Sequence, residues 1–217
     1  MRVSPSSHAS RGSRRATVAT LALVAGNLLL ADAAAAQDRS WPPQYRRDRA
    51  QFAIEGAGSL AQFTGNAVGT ATDGSGFDVM ASLGVSVLSL GGGYQRSSHR
   101  LAVGDATVSG FFFEPRVALP FAARNFTPFV FGRVSRLERS VPGETGAFES
   151  RGTGLGAGVG TYVWLAPNIQ LNTTVGWNEL RFGDTGVTAG SPIVGRTTGN
   201  NWAVRAGVTL GFDRWGR

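Results

Sequence analysis

Residues 202–212, close to the end of the 217-residue chain, read W-A-V-R-A-G-V-T-L-G-F. Apolar side chains occupy every second position from Trp202 to Phe212, and Ala, Arg, Gly and Thr fill the positions between them. Strict alternation indicates a β-strand with one apolar and one polar face. At about 3.3 Å per residue and a tilt of about 45°, this length covers a roughly 25 Å apolar membrane band. The pattern therefore predicts a strand whose apolar face meets lipid and whose other face, with Arg205, points into a polar interior.

Seven further segments show comparable alternation and are predicted to be strands: 51–63, 76–85, 88–97, 108–119, 126–137, 149–165 and 169–182. The connections between them alternate in length. The long ones are 65–75, 98–107, 139–148 and 183–201, and the short ones are 86–87, 120–125 and 166–168. A soluble β-sandwich has no reason to place its long loops on one side, whereas a membrane barrel does. The sequence thus predicts an all-β, eight-stranded, antiparallel up-and-down barrel over residues 51–212.

The terminal strand carries a resemblance to a known family. Its alternating apolar face, with Trp202, Leu210 and Phe212, resembles the C-terminal assembly signal of bacterial outer-membrane β-barrel proteins, although a short tail, D-R-W-G-R at 213–217, follows Phe212. With the loop asymmetry, the chain resembles a small barrel of the OmpA/OmpX type. This resemblance implies a transmembrane barrel of the cell outer membrane. It also implies a monomer that contacts outer-membrane lipids, lipopolysaccharide and the barrel-assembly machinery.

The N-terminal 36 residues have the pattern of a secretory signal peptide. Arginines precede an apolar run at 16–30, and Ala34, Ala35 and Ala36 come before Gln37. The run is shorter than the roughly 20 residues that a spanning helix needs, so cleavage after Ala36 is predicted rather than anchoring. Residues 37–50 are polar and contain a proline pair, which predicts an unstructured periplasmic lead-in.

Composition excludes several classes of function. All 21 basic residues are arginine, and the formal net charge is +7. The predicted signal peptide carries Arg2, Arg11, Arg14, Arg15 and one Asp, so the mature charge falls to +4. No basic run is interleaved with stacking aromatics, so nucleic-acid binding is not predicted. The chain has no cysteine, which excludes disulfides, thiolate metal sites and cysteine nucleophiles.

Three acidic and three basic residues fall on the inward faces of the predicted strands. They are Glu55, Asp78, Glu114, Arg116, Arg133 and Arg205. The lumen of an eight-stranded barrel is just wide enough for side chains, and buried charges need partners. A paired network that fills the lumen is therefore the favoured interpretation, and an ion or proton path is the alternative.

Two features complicate the predicted strands. Pro115 removes a ladder donor in a barrel without free edges, which predicts a bulge or a different register. Phe129 and Phe131 interrupt the expected alternation of the fifth strand. In the sixth strand, the glycines at 154, 156, 158 and 160 share the inward face and predict room for long side chains from across the barrel.

Catalytic chemistry is not indicated. His99, the single histidine after residue 36, lies beside Ser97 and Ser98 at a strand end and is predicted to be an ordinary surface histidine. No spacing matches a metal site, a phosphate-binding loop or a cofactor motif, so the prediction is a non-enzyme without cofactor or metal.

Three functional classes stay open on the sequence alone. The first is a structural or surface-interaction protein whose loops meet partners outside the cell. The second is a small channel or transporter for ions or hydrophobic compounds. The third is a soluble lipocalin-like barrel, in which the apolar faces would point inward around a ligand.

Overall fold

The protein is a closed barrel of eight antiparallel strands joined in sequence order. The computed structural model describes residues 51–65, 73–101, 104–119, 126–143, 146–166, 168–183 and 196–212. The strands are β1 (Gln51–Gly65), β2 (Asp73–Val85), β3 (Leu88–Leu101), β4 (Gly104–Ala118), β5 (Phe126–Gly143), β6 (Gly146–Ala166), β7 (Ile169–Phe182) and β8 (Thr197–Phe212). The predicted signal peptide, lead-in and C-terminal tail lie outside the described residues. Within these ranges, no helix has the length and apolarity needed to cross a membrane.

The strands are strongly staggered. We followed the paired residues from strand to strand, starting at Val208 on β8. One turn around the barrel returns to β8 at Thr198, ten residues away along the same strand. Such a stagger tilts the strands and sets the width of the barrel. With eight strands the lumen is narrow enough for inward side chains to meet across it.

The outer surface carries an apolar band that ends at one level on the side of the long connections. On every strand, one apolar residue ends the band on the side of the long connections, and these residues are Leu60, Phe77, Tyr94, Phe111, Val134, Leu155, Trp177 and Trp202. The next outward residue on each strand is polar, giving a ring of Gln62, Ser75, Arg96, Ser109, Arg136, Thr153, Glu179 and Asn200. Phe111 is 72% exposed and Trp202 is 61% exposed. Apolar residues are thus outside and charges inside, which contradicts the lipocalin-like alternative.

Several strands continue beyond the band, and the sequence prediction was wrong there. Residues 98–107 and 139–148 were expected to be loops, but β3 runs to Leu101, β4 starts at Gly104, β5 ends at Gly143 and β6 starts at Gly146. Polar outward residues made these segments look like loops, although their inward residues, such as His99 and Ala106, are buried. The predicted short turn at Ser86 and Val87 is confirmed, and Ser86 takes a left-handed φ of 57°. The turn at 120–125 and most of the connection at 183–201 lie outside the described residues.

Pro115 does not produce the predicted bulge. Its pairing with Leu90 follows the register of β3 and β4 without a shift. On the other side, β4 pairs with β5 up to Phe113 and resumes in the same register at Arg116. The proline therefore interrupts the ladder to β5 for two residues and leaves the register unchanged, because it lacks only the one N–H donor.

Phe129 and Phe131 lie inside the barrel, where they keep the alternation of β5 rather than break it. They are 1% and 6% exposed. Glycines on the neighbouring strands make room for their rings: a Cβ at Gly158 would lie 2.6 Å from Phe131 Cζ, and one at Gly160 would lie 2.5 Å from Phe129 Cζ. The prediction of room beside the β6 glycines holds, but the rings come from the adjacent strand β5 and not from across the barrel.

We predict that Gly176→Ala destabilises the protein by about 1–3 kcal/mol, because overpacking forces the Phe131 ring to move. A Cβ at Gly176 would lie 2.8 Å from Phe131 Cζ and meets no other side chain within 3.5 Å. The measurement is the free energy of unfolding in urea with lipid vesicles. In a Phe131→Leu background the same substitution should cost much less. Gly58→Ala is the control, since a Cβ there meets nothing within 4 Å; equal losses at both glycines would contradict the packing account.

Candidate functional site

The six inward charges predicted from the sequence meet in the middle of the lumen. Each is buried: Glu114 is 0% exposed, and the most exposed of the six, Arg133, is 7% exposed. They come from five strands, with Glu55 on β1, Asp78 on β2, Glu114 and Arg116 on β4, Arg133 on β5 and Arg205 on β8. Because β1 and β5 lie on opposite sides of the eight-stranded ring, the side chains reach one another across the lumen. We call this set the ionic network.

Arg116 holds the two glutamates on the side of the short turns. Its Nη1 lies 2.7 Å from Glu55 Oε2, and its Nη2 lies 3.0 Å from Glu55 Oε1. Its Nε donates to Glu114 Oε1 at 2.7 Å. The guanidinium also contacts the hydroxyl of Tyr162 and lies 5.0 Å from the centre of the Phe129 ring. A two-pronged contact of this kind suits arginine and fixes the orientation of both partners.

Arg133 and Arg205 complete the ionic network on the side of the long connections. Arg133 donates from Nε to Glu114 Oε2 at 2.5 Å and lies 3.2 Å from Asp78 Oδ2. Arg205 Nη1 lies 3.2 Å from the same Asp78 oxygen and 3.1 Å from Glu114 Oε2. Glu114 therefore contacts all three arginines, and it is the centre of the ionic network.

Uncharged residues support the charged ones. Gln95 accepts a hydrogen bond from Arg133 Nη1 at 2.8 Å, and Thr209 donates one to Glu55 Oε2 at 3.2 Å. Arg133 also stacks over Phe112 with 3.7 Å between guanidinium carbon and ring centre, and Arg205 lies 4.8 Å from the centre of the Phe131 ring. Aromatic faces attract such cations when water is excluded. These rings were not predicted as part of the site from the sequence. They could have been, because they occupy the same inward-facing alternate positions of the strands as the charged residues.

The charges of the ionic network balance one another. Three carboxylates face three guanidinium groups, so the ionic network has no net charge, and every one of its members forms an ion pair. Mutual attraction in a site of low dielectric offsets the cost of dehydrating such groups only when the pairing is complete. One acceptor is left over, because Asp78 Oδ1 has no hydrogen-bond partner among the described residues.

Two cavities lie on either side of the ionic network. The cavity toward the short turns has a volume of about 60 Å³ and is lined by Ser89, Tyr162, Gln170 and Thr209, among others. The cavity toward the long connections has a volume of about 70 Å³ and contacts Asp78, Arg133 and Arg205. Beyond this second cavity lies a buried apolar cluster, formed by Phe63, Val108, Leu137, Leu180 and Phe182.

His99 is not the surface residue that the sequence predicted. It is 0% exposed on the inward face of β3, its Nε2 lies 2.8 Å from Ser97 Oγ, and its ring packs edge-on against Phe63 at 4.5 Å. The outward neighbour Arg100 places this part of β3 above the apolar band. Burial lowers the pKa of His99 to about 4. Among the described residues, no carboxylate hydrogen-bonds to the ring, and Ser97 is its side-chain partner.

Among the described residues, no cluster of three or more histidine, aspartate or glutamate side chains could hold a metal ion.

The three residues of the predicted assembly signal all face outward: Trp202 is 61% exposed, Leu210 is 45% exposed and Phe212 is 51% exposed. The Phe212 ring lies 5.9 Å from that of Phe52 on the first strand, where β8 closes the barrel.

Comparisons with known proteins agree with this architecture. No protein-family model and no curated protein matches the sequence. The crystal structure of Neisserial surface protein A (NspA) is similar, with a TM-score of 0.62 and 18% identity over 76% of this chain and 100% of NspA. The solid-state NMR structure of outer membrane protein AlkL in DMPC lipid bilayers has a TM-score of 0.53 and 13% identity over 83% of this chain and 99% of AlkL. The chain has the fold of the small eight-stranded outer-membrane β-barrels.

Proposed function

We propose that the protein is an integral outer-membrane barrel with a structural or surface-interaction role, that its lumen is sealed, and that it is not an enzyme. The observation that carries this proposal is the ionic network, in which six buried charges from five strands are held together across the lumen. A barrel closed in this way offers its outer surface and its exterior hairpins for function.

The outer surface supports the membrane part of the proposal. Exposed apolar side chains run around all eight strands, and Phe111, Leu83 and Leu155 are each at least 59% exposed. Soluble monomers rarely expose a continuous apolar surface of this size. The band also ends in aromatic residues on β2, β3, β4, β7 and β8, which is where barrels place them at the membrane interface.

The ionic network opposes the channel alternative. An open pore needs a continuous path of water, and here Arg116, Arg133 and Arg205 occupy the middle of the lumen with their carboxylate partners. A channel or transporter would require these pairs to separate, and separation of a buried pair costs about 3–5 kcal/mol if water does not replace the lost partner.

The hairpins beyond the apolar band support a role at the cell surface. The β5–β6 hairpin pairs from Phe126 and Val163 up to Gly143 and Gly146, well past Val134, where the band ends on β5. A paired ladder gives the exposed part a defined shape. The proposed partners are outer-membrane lipids, lipopolysaccharide and the barrel-assembly machinery. We propose that the protein is a monomer in the membrane.

We predict that the mature protein fractionates with outer membranes and migrates differently on gels before and after boiling, because a closed barrel resists detergent until it is heated. Epitope tags inserted at 144–145 should be labelled on intact cells, and tags in the turn at Ser86 should not. Recovery in the soluble periplasmic fraction without heat-dependent mobility would contradict the membrane proposal. Labelling at Ser86 on intact cells would show that the barrel has the opposite orientation in the membrane.

We predict that Arg205→Ala destabilises the folded protein, because the ionic network then holds three carboxylates against two guanidinium groups. The loss should be about 3–5 kcal/mol if the site is dry and smaller if water enters the space. Heat-dependent gel mobility and urea unfolding in vesicles measure this loss. Wild-type protein in planar bilayers should be nearly non-conducting, and the variant should conduct more. Arg181→Ala is the matched control, because the Arg181 side chain is 69% exposed in its pair with Glu179.

A large and steady wild-type conductance would favour the channel alternative over a sealed barrel. An Arg205→Ala protein as stable as both the wild type and the Arg181→Ala control would show that the ionic network does not hold the lumen closed.

A further inference from the structure

The outward arginines beyond the apolar band differ in their partners. On the described strands they are Arg96, Arg100, Arg136, Arg151 and Arg181. Arg151 and Arg181 form ion pairs with glutamates, at 3.2 Å and 2.7 Å. Arg100 lies opposite Asp105 on β4. Arg96 and Arg136 are exposed, and neither forms an ion pair with a described residue.

These two unpaired arginines flank β4 just above the apolar band. Arg96 on β3 pairs with Ser109, and Arg136 on β5 pairs with Phe111. From the spacing of strands and the rise per residue, the Cα atoms of Arg96 and Arg136 lie about 12 Å apart. Both side chains are long, so their guanidinium groups can converge on one ligand beside the Ser109 hydroxyl.

The surface directly below this pair is aromatic. Tyr94 and Phe111 are the last apolar residues of the band on β3 and β4, and their rings meet edge-on with 5.5 Å between centroids. Barrels place aromatic residues of this kind at the membrane interface. A molecule bound here meets cations on the exterior side and an apolar surface on the membrane side. Such a surface fits a lipid with an anionic headgroup.

One carboxylate lies close to the two arginines, and it already has a partner. Glu138 lies opposite Ser109 on β5, and its Oε1 is 3.2 Å from Arg151 Nε on β6. The charges of Glu138 and Arg151 cancel, which leaves the two positive charges of Arg96 and Arg136. Guanidinium groups bind phosphate oxygens through pairs of N–H donors, and clustered arginines at a membrane surface attract anionic lipids.

We propose that Arg96, Ser109 and Arg136 bind a phosphate group of lipopolysaccharide, and that acyl chains of the same molecule pack on Tyr94 and Phe111. We call these five residues the headgroup site. Lipopolysaccharide fits because it carries its phosphates next to its acyl chains. The inference rests on the proposed function, since the long connections must face the exterior for the site to meet the outer leaflet. It deepens that function by assigning the lipid to one sector of the barrel.

The test measures the apparent affinity of diphosphoryl lipid A for the folded protein in zwitterionic micelles. Because the chain has no cysteine, Ser98→Cys on β3 takes a single fluorophore two residues beyond Arg96. Replacing Arg96 and Arg136 together by Gln should weaken binding about tenfold or more. The matched control replaces Arg181 and Arg196 by Gln, which removes the same charge from exposed positions on β7 and beside β8. It should weaken binding much less, because salt screens distant charges.

A further variant should tighten binding. Glu138→Gln removes the carboxylate opposite Ser109 and releases Arg151 from its ion pair, so the headgroup site becomes more positive. Misfolding does not explain a gain in affinity, and heat-dependent gel mobility checks that the weakened variants are folded. Weaker binding by Glu138→Gln would contradict the placement of the phosphate beside Ser109.

Other ligands identify the source of the phosphate. Lipid A without its phosphates should bind about tenfold more weakly, and inorganic phosphate should not displace diphosphoryl lipid A. Equal losses in the site and control variants would overturn the headgroup site, since general surface charge would then explain binding. Displacement by phosphatidylglycerol or inorganic phosphate as effective as that by lipid A would overturn the assignment to lipopolysaccharide.

The outcomes separate this inference from the proposed function, because binding in micelles does not depend on location in the cell. A protein that fractionates with outer membranes but does not bind lipid A through Arg96 and Arg136 keeps the proposed function and loses the headgroup site. Recovery in the soluble periplasmic fraction, with lipid A binding intact, would instead contradict the proposed function.

Discussion

Charge burial in a narrow lumen is the constraint on which the rest of this structure depends. Carboxylates and guanidinium groups removed from water must find one another, and an eight-stranded barrel leaves them one place to do so. Glu114 satisfies this constraint at the centre by contacting Arg116, Arg133 and Arg205. The inward rings and the glycines follow from it, because Phe129 and Phe131 cover the arginines on one side and need Gly158 and Gly160 on the other.

The exterior obeys the opposite constraint. Apolar residues cover the strands up to a single level, and polar residues take over at the next outward position on every strand. A protein built in this way gains from lipid around it and loses from water, so its stability and its location are linked. The same design leaves little freedom for function inside the barrel. With the lumen sealed as we propose, the outer surface and the hairpins that extend past the apolar band remain available for function.

The sequence predicted the barrel, the number of strands and the inward position of the six charges, because alternation over many residues is a strong signal. The prediction failed where a segment is polar in sequence but forms a strand with a buried inward face. Strands β5 and β6 continue through residues that look like a loop, since above the band a strand can be polar outside and buried inside. His99 illustrates the same failure, because its burial beside Phe63 depends on pairing between strands. Pro115 was judged by its missing donor, although the register around it is kept by both neighbours.

The most direct test of the account is a double-mutant cycle between Glu55 and Arg116, measured as the free energy of unfolding in vesicles. The two side chains meet at 2.7 Å and 3.0 Å and are 3% and 2% exposed. The account predicts that Glu55→Gln and Arg116→Met together cost clearly less than the sum of the single losses, with a coupling of about 1–3 kcal/mol. Additive losses with no coupling would contradict the claim that a paired ionic network holds the lumen together.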